Sequence, residues 1–226
     1  MKNAPTIARQ ALHLSVTIAT DDVELEGALD LPAEAAGVVV FAHGSGSSRH
    51  SPRNQFVARV IREAGMGTLL FDLLTRKEER EDDVTGVLRF DIELLAKRLI
   101  GATHWLEKQP ETRELKVGYF GASTGGGAAL MAAAELGDRI AAVVSRGGRP
   151  DLAGAALPRV KSPTLLLVGG CDDVVISLNQ EAYAKLSCEK ELRIVPGATH
   201  LFEEPGKLEQ VARISAEWFS GHMGGD

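Results

Sequence analysis

The chain has 226 residues, 44% of them apolar and 25% charged, with a formal net charge of −6 at pH 7. That length and composition suit one soluble globular domain, here residues 1–226, with a sizeable core. The acidic balance leaves no electrostatic footprint for nucleic acid, and no apolar run is long enough to span a bilayer.

Residues 1–10 lack the apolar centre of a secretory signal, so the expected compartment is the cytoplasm. Leu12, Leu14, Val16 and Ile18 then alternate along one face, as do Val23, Leu25, Leu29 and Leu31. With Thr20-Asp21-Asp22 as the turn, the two runs predict an antiparallel hairpin with one solvated face. From residue 38 the pattern changes. Residues 38–42, 68–71, 117–120, 140–144, 164–168 and 192–195 are short, nearly continuous apolar runs, the mark of strands buried on both faces. Amphipathic helices fall between them. Ile92, Leu95, Leu99, Ala102 and Leu106 recur at helical spacing, and Leu208, Val211, Ile214 and Trp218 do so after Pro205. Strands alternating with helices predict a parallel, doubly wound α/β sheet. The hairpin and six parallel strands together make eight. The charged run at 76–83 reads as a solvated loop after the second parallel strand, with a substrate-gating lid as the alternative. Cys171 and Cys188 show no metal-ligand spacing and read as unpaired thiols.

The sharpest signal is Gly121-Ala122-Ser123-Thr124-Gly125, which follows the apolar run at 117–120 and precedes a small, apolar stretch at 126–136. Strand, sharp turn and helix are the context in which G-x-S-x-G becomes a nucleophile elbow, holding a serine hydroxyl exposed at the carboxyl edge of a sheet. A serine attacks only if a base removes its proton, and that base needs an orienting acid. Asp172 follows the strand at 164–168, and His200 follows the strand at 192–195, so all three side chains stand at carboxyl strand ends. Of the six histidines, only His200 follows both nucleophile and acid and lies in a strand-end loop, His222 falling in a Gly-rich tail. Asp172 is preferred to its neighbour Asp173, which reads as a turn residue or helix cap. The oxyanion hole would take the amide of Thr124, next to the nucleophile, and that of Ser45 in the small-residue loop His43-Gly44-Ser45-Gly46-Ser47-Ser48. A phosphate-binding reading of that loop lacks the Lys-Ser/Thr of a P-loop. The histidines lack the spacing of a zinc site, and no metal or organic cofactor is expected.

The segments FAHGSGSS at 41–48, GYFGASTGG at 118–126, VGGCDD at 168–173 and PGATHLF at 196–202 resemble the dienelactone hydrolase-like branch of the α/β-hydrolases. The resemblance covers about residues 12–219. It implies the α/β-hydrolase fold and cofactor-free hydrolysis of small-molecule esters or lactones. Dienelactone hydrolases proper carry a cysteine nucleophile. Ser123 in its place points to a general carboxylesterase of the serine-containing branch. Only about 17 residues separate Arg146 from Pro163, too few for a separate cap domain. The site should therefore be open and should favour small or short-chain acyl groups. A pair of guanidiniums from Arg76, Arg146 and Arg149, each expected in a loop after a strand, could clamp a substrate carboxylate. Surface charge or structural bonding is the alternative for each, and Arg146 in SRGGRPD suits the structural role. Two other functions stay open: a non-hydrolytic ligand-binding module on the same fold, and attack by the same serine on thioester, peptide or organophosphate centres. No exposed apolar helix announces an oligomer.

Overall fold

The computed structural model describes residues 10–20 and 23–224. Its eight strands are β1 (Leu12–Ala19), β2 (Glu24–Leu31), β3 (Gly37–Ala42), β4 (Gly67–Phe71), β5 (Lys116–Ala122), β6 (Ile140–Arg146), β7 (Thr164–Gly169) and β8 (Lys190–Val195). They form one sheet in the order β1-β2-β4-β3-β5-β6-β7-β8. β1 pairs antiparallel with β2, β2 antiparallel with β4, and the other neighbours run parallel. This is the mostly parallel α/β-hydrolase sheet with an N-terminal hairpin that the sequence leads one to expect. The expected hairpin turn at Thr20-Asp21-Asp22 lies partly outside the described residues.

The helices are α1 (Pro52–Glu63), α2 (Arg76–Thr85), α3 (Ile92–Leu106), α4 (Thr124–Leu136), α5 (Asp173–Lys185) and α6 (Lys207–Met223). Strand side chains alternate between faces, so each apolar run feeds two cores. Val38 and Val40 join Leu95 and Leu99 of α3, Ala129 and Ala133 of α4 and Ala182 of α5 on one face. Val39 and Phe41 join Val57 and Ile61 of α1 and Val211 and Phe219 of α6 on the other. Burial of β3 on both faces explains why its sequence, GVVVFA, contains no polar residue. The helix α4 is buried almost all round, which its Gly- and Ala-rich sequence permits by keeping its diameter small.

Two expectations need correction. Residues 76–83 are not a loop but most of α2. A capping box between Thr75 and Glu78 starts the helix and Gly86, in the left-handed conformation, ends it. Behind the end, the carboxylate of Asp82 accepts from the amides of Leu88 and Arg89 and from the Arg89 side chain. The charge run marks the solvated face of a helix whose stop and start signals were local. His222, expected in a Gly-rich tail, lies in the last turn of α6, where Nδ1 donates to Trp218 O at 2.7 Å. Between β6 and β7 there is room only for the short 3₁₀ turns of Pro150–Arg159, kinked at Gly154 and packed against α4.

Candidate active site

Ser123 joins β5 to α4 with φ 50° and ψ −123°, a backbone conformation that a residue with a side chain adopts only under compulsion. The compulsion is close packing. A Cβ at Gly125 would lie 2.1 Å from Ala42 O, and one at Gly121 would lie 2.5 Å from Gly125 O. With hydrogen in both places, β3, β5 and α4 converge on the turn. Backbone bonds then fix it: Ser123 N donates to Arg146 O at 3.3 Å, and Ser123 O accepts from Gly126 N and Arg149 N, both at 2.9 Å.

Asp172 follows β7 in a tight turn, its amide donating to Gly169 O at 3.1 Å. Its Oδ2 lies 2.7 Å from His200 Nδ1. A neutral imidazole in that bond carries its proton on Nδ1, which leaves Nε2 as the basic nitrogen. Asp173 is the exposed first residue of α5 and makes no such contact. His200 and Ser123 line one cleft of about 220 Å³. The loop that carries His200 is tied at three points. Thr199 donates from its amide and hydroxyl to Glu204 Oε1, at 3.1 and 2.6 Å, and these bonds hold the Glu204 carboxyl below its ordinary pKa. Phe202 is fully buried at φ 57° and donates from its amide to Thr199 O at 3.2 Å. Arg53 of α1 pairs with Glu203 at 2.8 Å.

Thr124 and Ser45 also come together. Thr124 is the first residue of α4, and its Oγ1 accepts from the Ser45 amide at 3.1 Å. The loop bearing Ser45 is anchored by His43, which the sequence reading passed over. His43 Nε2 accepts from Leu73 N and its Nδ1 donates to Gly44 O, both at 3.0 Å. Those two bonds need the neutral ring, and burial lowers its pKa accordingly. Beyond this loop lies a second, larger cavity of about 540 Å³, polar, sharing Gly44, Ser45, Ser47, Ser51 and Arg53 with the first.

The three arginines part company. Arg76, at the start of α2, bonds Glu26 at 2.9 Å, is largely exposed and lines neither cavity. The structure does not bring it to the cleft. Arg149 is held by Asp151 through two bonds of 2.9 and 2.7 Å. Arg146 is the last residue of β6 rather than part of a loop, and its side chain lines the cleft with Ser123 and His200. Its Nη2 donates to Asn54 Oδ1 at 3.1 Å, and its buried Nε has no partner among the described residues. Arg53, Asn54, Glu204 and His43 had no sequence signal beyond local spacing, because each acts across a tertiary contact. Among the described residues no group of His, Cys, Asp and Glu could hold a metal ion, and no helix is long and apolar enough to cross a membrane.

Known proteins agree with this architecture. The family model "Dienelactone hydrolase family" matches residues 25–219. A dienelactone hydrolase from Anabaena variabilis, solved by crystallography, is 58% identical, with a TM-score of 0.93 over 95% of this chain and 100% of that one. A dienelactone hydrolase-like promiscuous phosphotriesterase from metagenomic libraries has a TM-score of 0.75 at 18% identity, covering 96% of this chain and all of its own, a likeness of fold alone. A Mycobacterium tuberculosis protein provisionally named a phosphoribosyl transferase is 58% identical over 210 residues, 93% of this chain and 46% of its own length. The chain thus spans about half the length of the curated relatives it matches. It belongs to the dienelactone hydrolase family and has the α/β-hydrolase fold.

Proposed function

We propose that this chain is a hydrolase that cleaves small or short-chain carboxylic esters or lactones through a Ser123–His200–Asp172 triad and an acyl-enzyme. The observation that carries the reading is the strained Ser123 in one cleft with His200, whose Nδ1 is held by Asp172 at 2.7 Å. His200 Nε2 takes the Ser123 proton as Oγ attacks the carbonyl carbon, and Asp172 stabilises the imidazolium that results. The amides of Thr124 and Ser45 receive the oxyanion, the Ser45 N–H turning to it from the Thr124 hydroxyl. His200 then protonates the leaving alkoxide, and the same nitrogen deprotonates the water that releases the acyl group. Arg146 is the cleft's substrate-binding cation, and Arg76 takes no part. The short segment between β6 and β7 leaves the site uncapped, which suits short acyl chains.

Phosphoribosyl transfer, in the name of the half-matched relatives, we assign to the part of those proteins that this chain does not cover. Treatment with a fluorophosphonate, followed by intact-mass measurement and peptide mapping, tests the reading. One adduct on Ser123, absent from Ser123→Ala, is expected, with ester turnover falling by a factor of at least about 10⁴ in that variant. A folded wild-type protein that takes no adduct would instead support the non-hydrolytic binding module.

A further inference from the structure

The Ser45 loop has a cavity on each side. Ser123 and His200 line only the smaller, of about 220 Å³, whereas Thr124, Glu79 and Arg89 line only the larger, of about 540 Å³. Ser45, Ser47 and Arg53 line both, so the two spaces join across the loop. Under the proposed triad His200 protonates the departing oxygen, which therefore sits on its side, in the smaller cleft. The carbonyl oxygen faces the amides of Thr124 and Ser45. The remaining substituent on the reacting carbon is the acyl chain. It extends away from His200, past Ser45 and into the larger cavity, whose volume is that of a small-molecule pocket, roughly 300–1,000 Å³.

The walls of that cavity say what kind of chain it takes. Its charges are largely answered within the protein: Arg89 meets Asp82 and Asp83, and Arg53 meets Glu203. Glu79 is the exception. Among the described residues its half-buried carboxylate has no hydrogen bond or ion pair, and burial with the like charges of Asp72 and Asp83 holds its pKa above the ordinary value. Donors stand free as well. Arg89 commits Nε and Nη2 to Asp82, while its Nη1 makes no hydrogen bond and would lie 3.9 Å from a Cβ at Gly46. The hydroxyls of Ser45 and Ser47 make none either among the described residues. An aliphatic chain placed here would strip water from these groups and return no bond. A chain of hydroxyls would replace the water bond for bond, with Leu73, Leu74 and Leu95 against its carbons.

We propose that the 540 Å³ cavity is an acyl subsite for a short, hydroxyl-rich chain, as in the lactones and esters of polyhydroxy acids, with Glu79 as its specificity-determining acceptor. The proposal rests on the hydrolase reading and names its substrate class. Glu79 accepts from hydroxyls of the chain, and Arg89 Nη1 and Ser47 donate to them.

The test compares D-galactono-1,4-lactone with γ-hexalactone, the same carbon skeleton without the extra hydroxyls, on wild type, Glu79→Leu, Glu79→Gln and Ser47→Ala. Each kcat/KM is divided by the lactone's rate with hydroxide, which removes the difference in intrinsic reactivity. Both lactones are also titrated against Ser123→Ala and Ser123→Ala/Glu79→Leu, read by melting temperature. The wild type should favour the hydroxylated lactone at least about tenfold. The ratio should fall about ten- to hundredfold in Glu79→Leu, recover in part in Glu79→Gln and fall less in Ser47→Ala. Glyceryl monobutyrate, with its hydroxyls on the alcohol arm, should be no better a substrate than propyl butyrate. A preference for hydroxyls on the alcohol arm alone overturns the acyl placement. A lactone preference that survives Glu79→Leu overturns the subsite. So does a ratio near one with no Glu79-dependent stabilisation by the hydroxylated lactone, and hydrolysis then stands without it. If Glu79→Leu does not fold, an unchanged ratio in Ser47→Ala is the overturning result. Glu79-dependent stabilisation of Ser123→Ala, without turnover of any lactone or ester by wild type, keeps the subsite and removes the hydrolase reading. Absence of both removes both.

Discussion

Two walls of one cleft are built by different forces. On one side, Ser123 is held by backbone contacts so close that a single added methyl at Gly125 would lie 2.1 Å from Ala42 O. On the other side, His200 rests on side-chain bonds in a loop: Asp172 to its ring, Glu204 to Thr199 and Arg53 to Glu203, the last two at least partly exposed. The first wall is part of the sheet core and has no freedom to adjust. The second is a set of polar tethers, each modest in a watery setting. Strain at Ser123 is thus carried by close-packed backbone, which does not give, while the proposed base can shift with substrate.

The strongest way to break this contrast is Gly125→Ala. The added Cβ must displace β3 or α4, with an expected destabilisation of at least about 3 kcal/mol and ester turnover near background, measured by thermal melt and kinetics together. Normal melting and turnover would mean that the elbow tolerates movement. A smaller effect is expected on the other wall. Glu204→Ala should lower kcat/KM about tenfold through a misplaced His200 while the melting temperature changes little, with Glu204→Gln recovering most of the loss. A large melting shift without a kinetic one would make Glu204 a structural residue only.

The smallest effect concerns His43, beneath the Ser45 loop. Its folded pKa lies below the ordinary value of 6.5 because the buried ring is kept neutral. Above about pH 6.5 the ring is neutral in both folded and unfolded chains, and its contribution is fully present. As pH falls below that value the unfolded chain binds a proton that the folded one refuses, and stability declines. Denaturant unfolding at a series of pH values should show this slope in wild type, reduced by one proton's share in His43→Gln. Equal slopes would place the ionisation elsewhere.

Much of this molecule was legible in the chain. The six apolar runs were strands because a parallel sheet buries both faces, and Ser123, Asp172 and His200 fell at three strand ends because such sheets expose function at their carboxyl edge. The helix at Arg76–Thr85 was misread although Thr75, Glu78 and Gly86 spell its caps, since a run of charges hides amphipathic periodicity. The fates of the arginines were not legible at all. Arg146 and Arg149 stand three residues apart in SRGGRPD, yet one is matched by Asp151 and the other is left beside Asn54, 92 positions away in the chain.

By itself, then, the sequence determined the order of elements, the elbow and the two strand-end partners, because hydrophobic period and turn chemistry are local properties of a chain. The tertiary structure alone decided which cations are neutralised, that the Ser45 amide meets the Thr124 hydroxyl, and that a guanidinium bonded only to the Asn54 amide shares the cleft with Ser123. Charge pairing depends on distances between segments far apart in the chain, and those distances exist only once the sheet has closed its two cores.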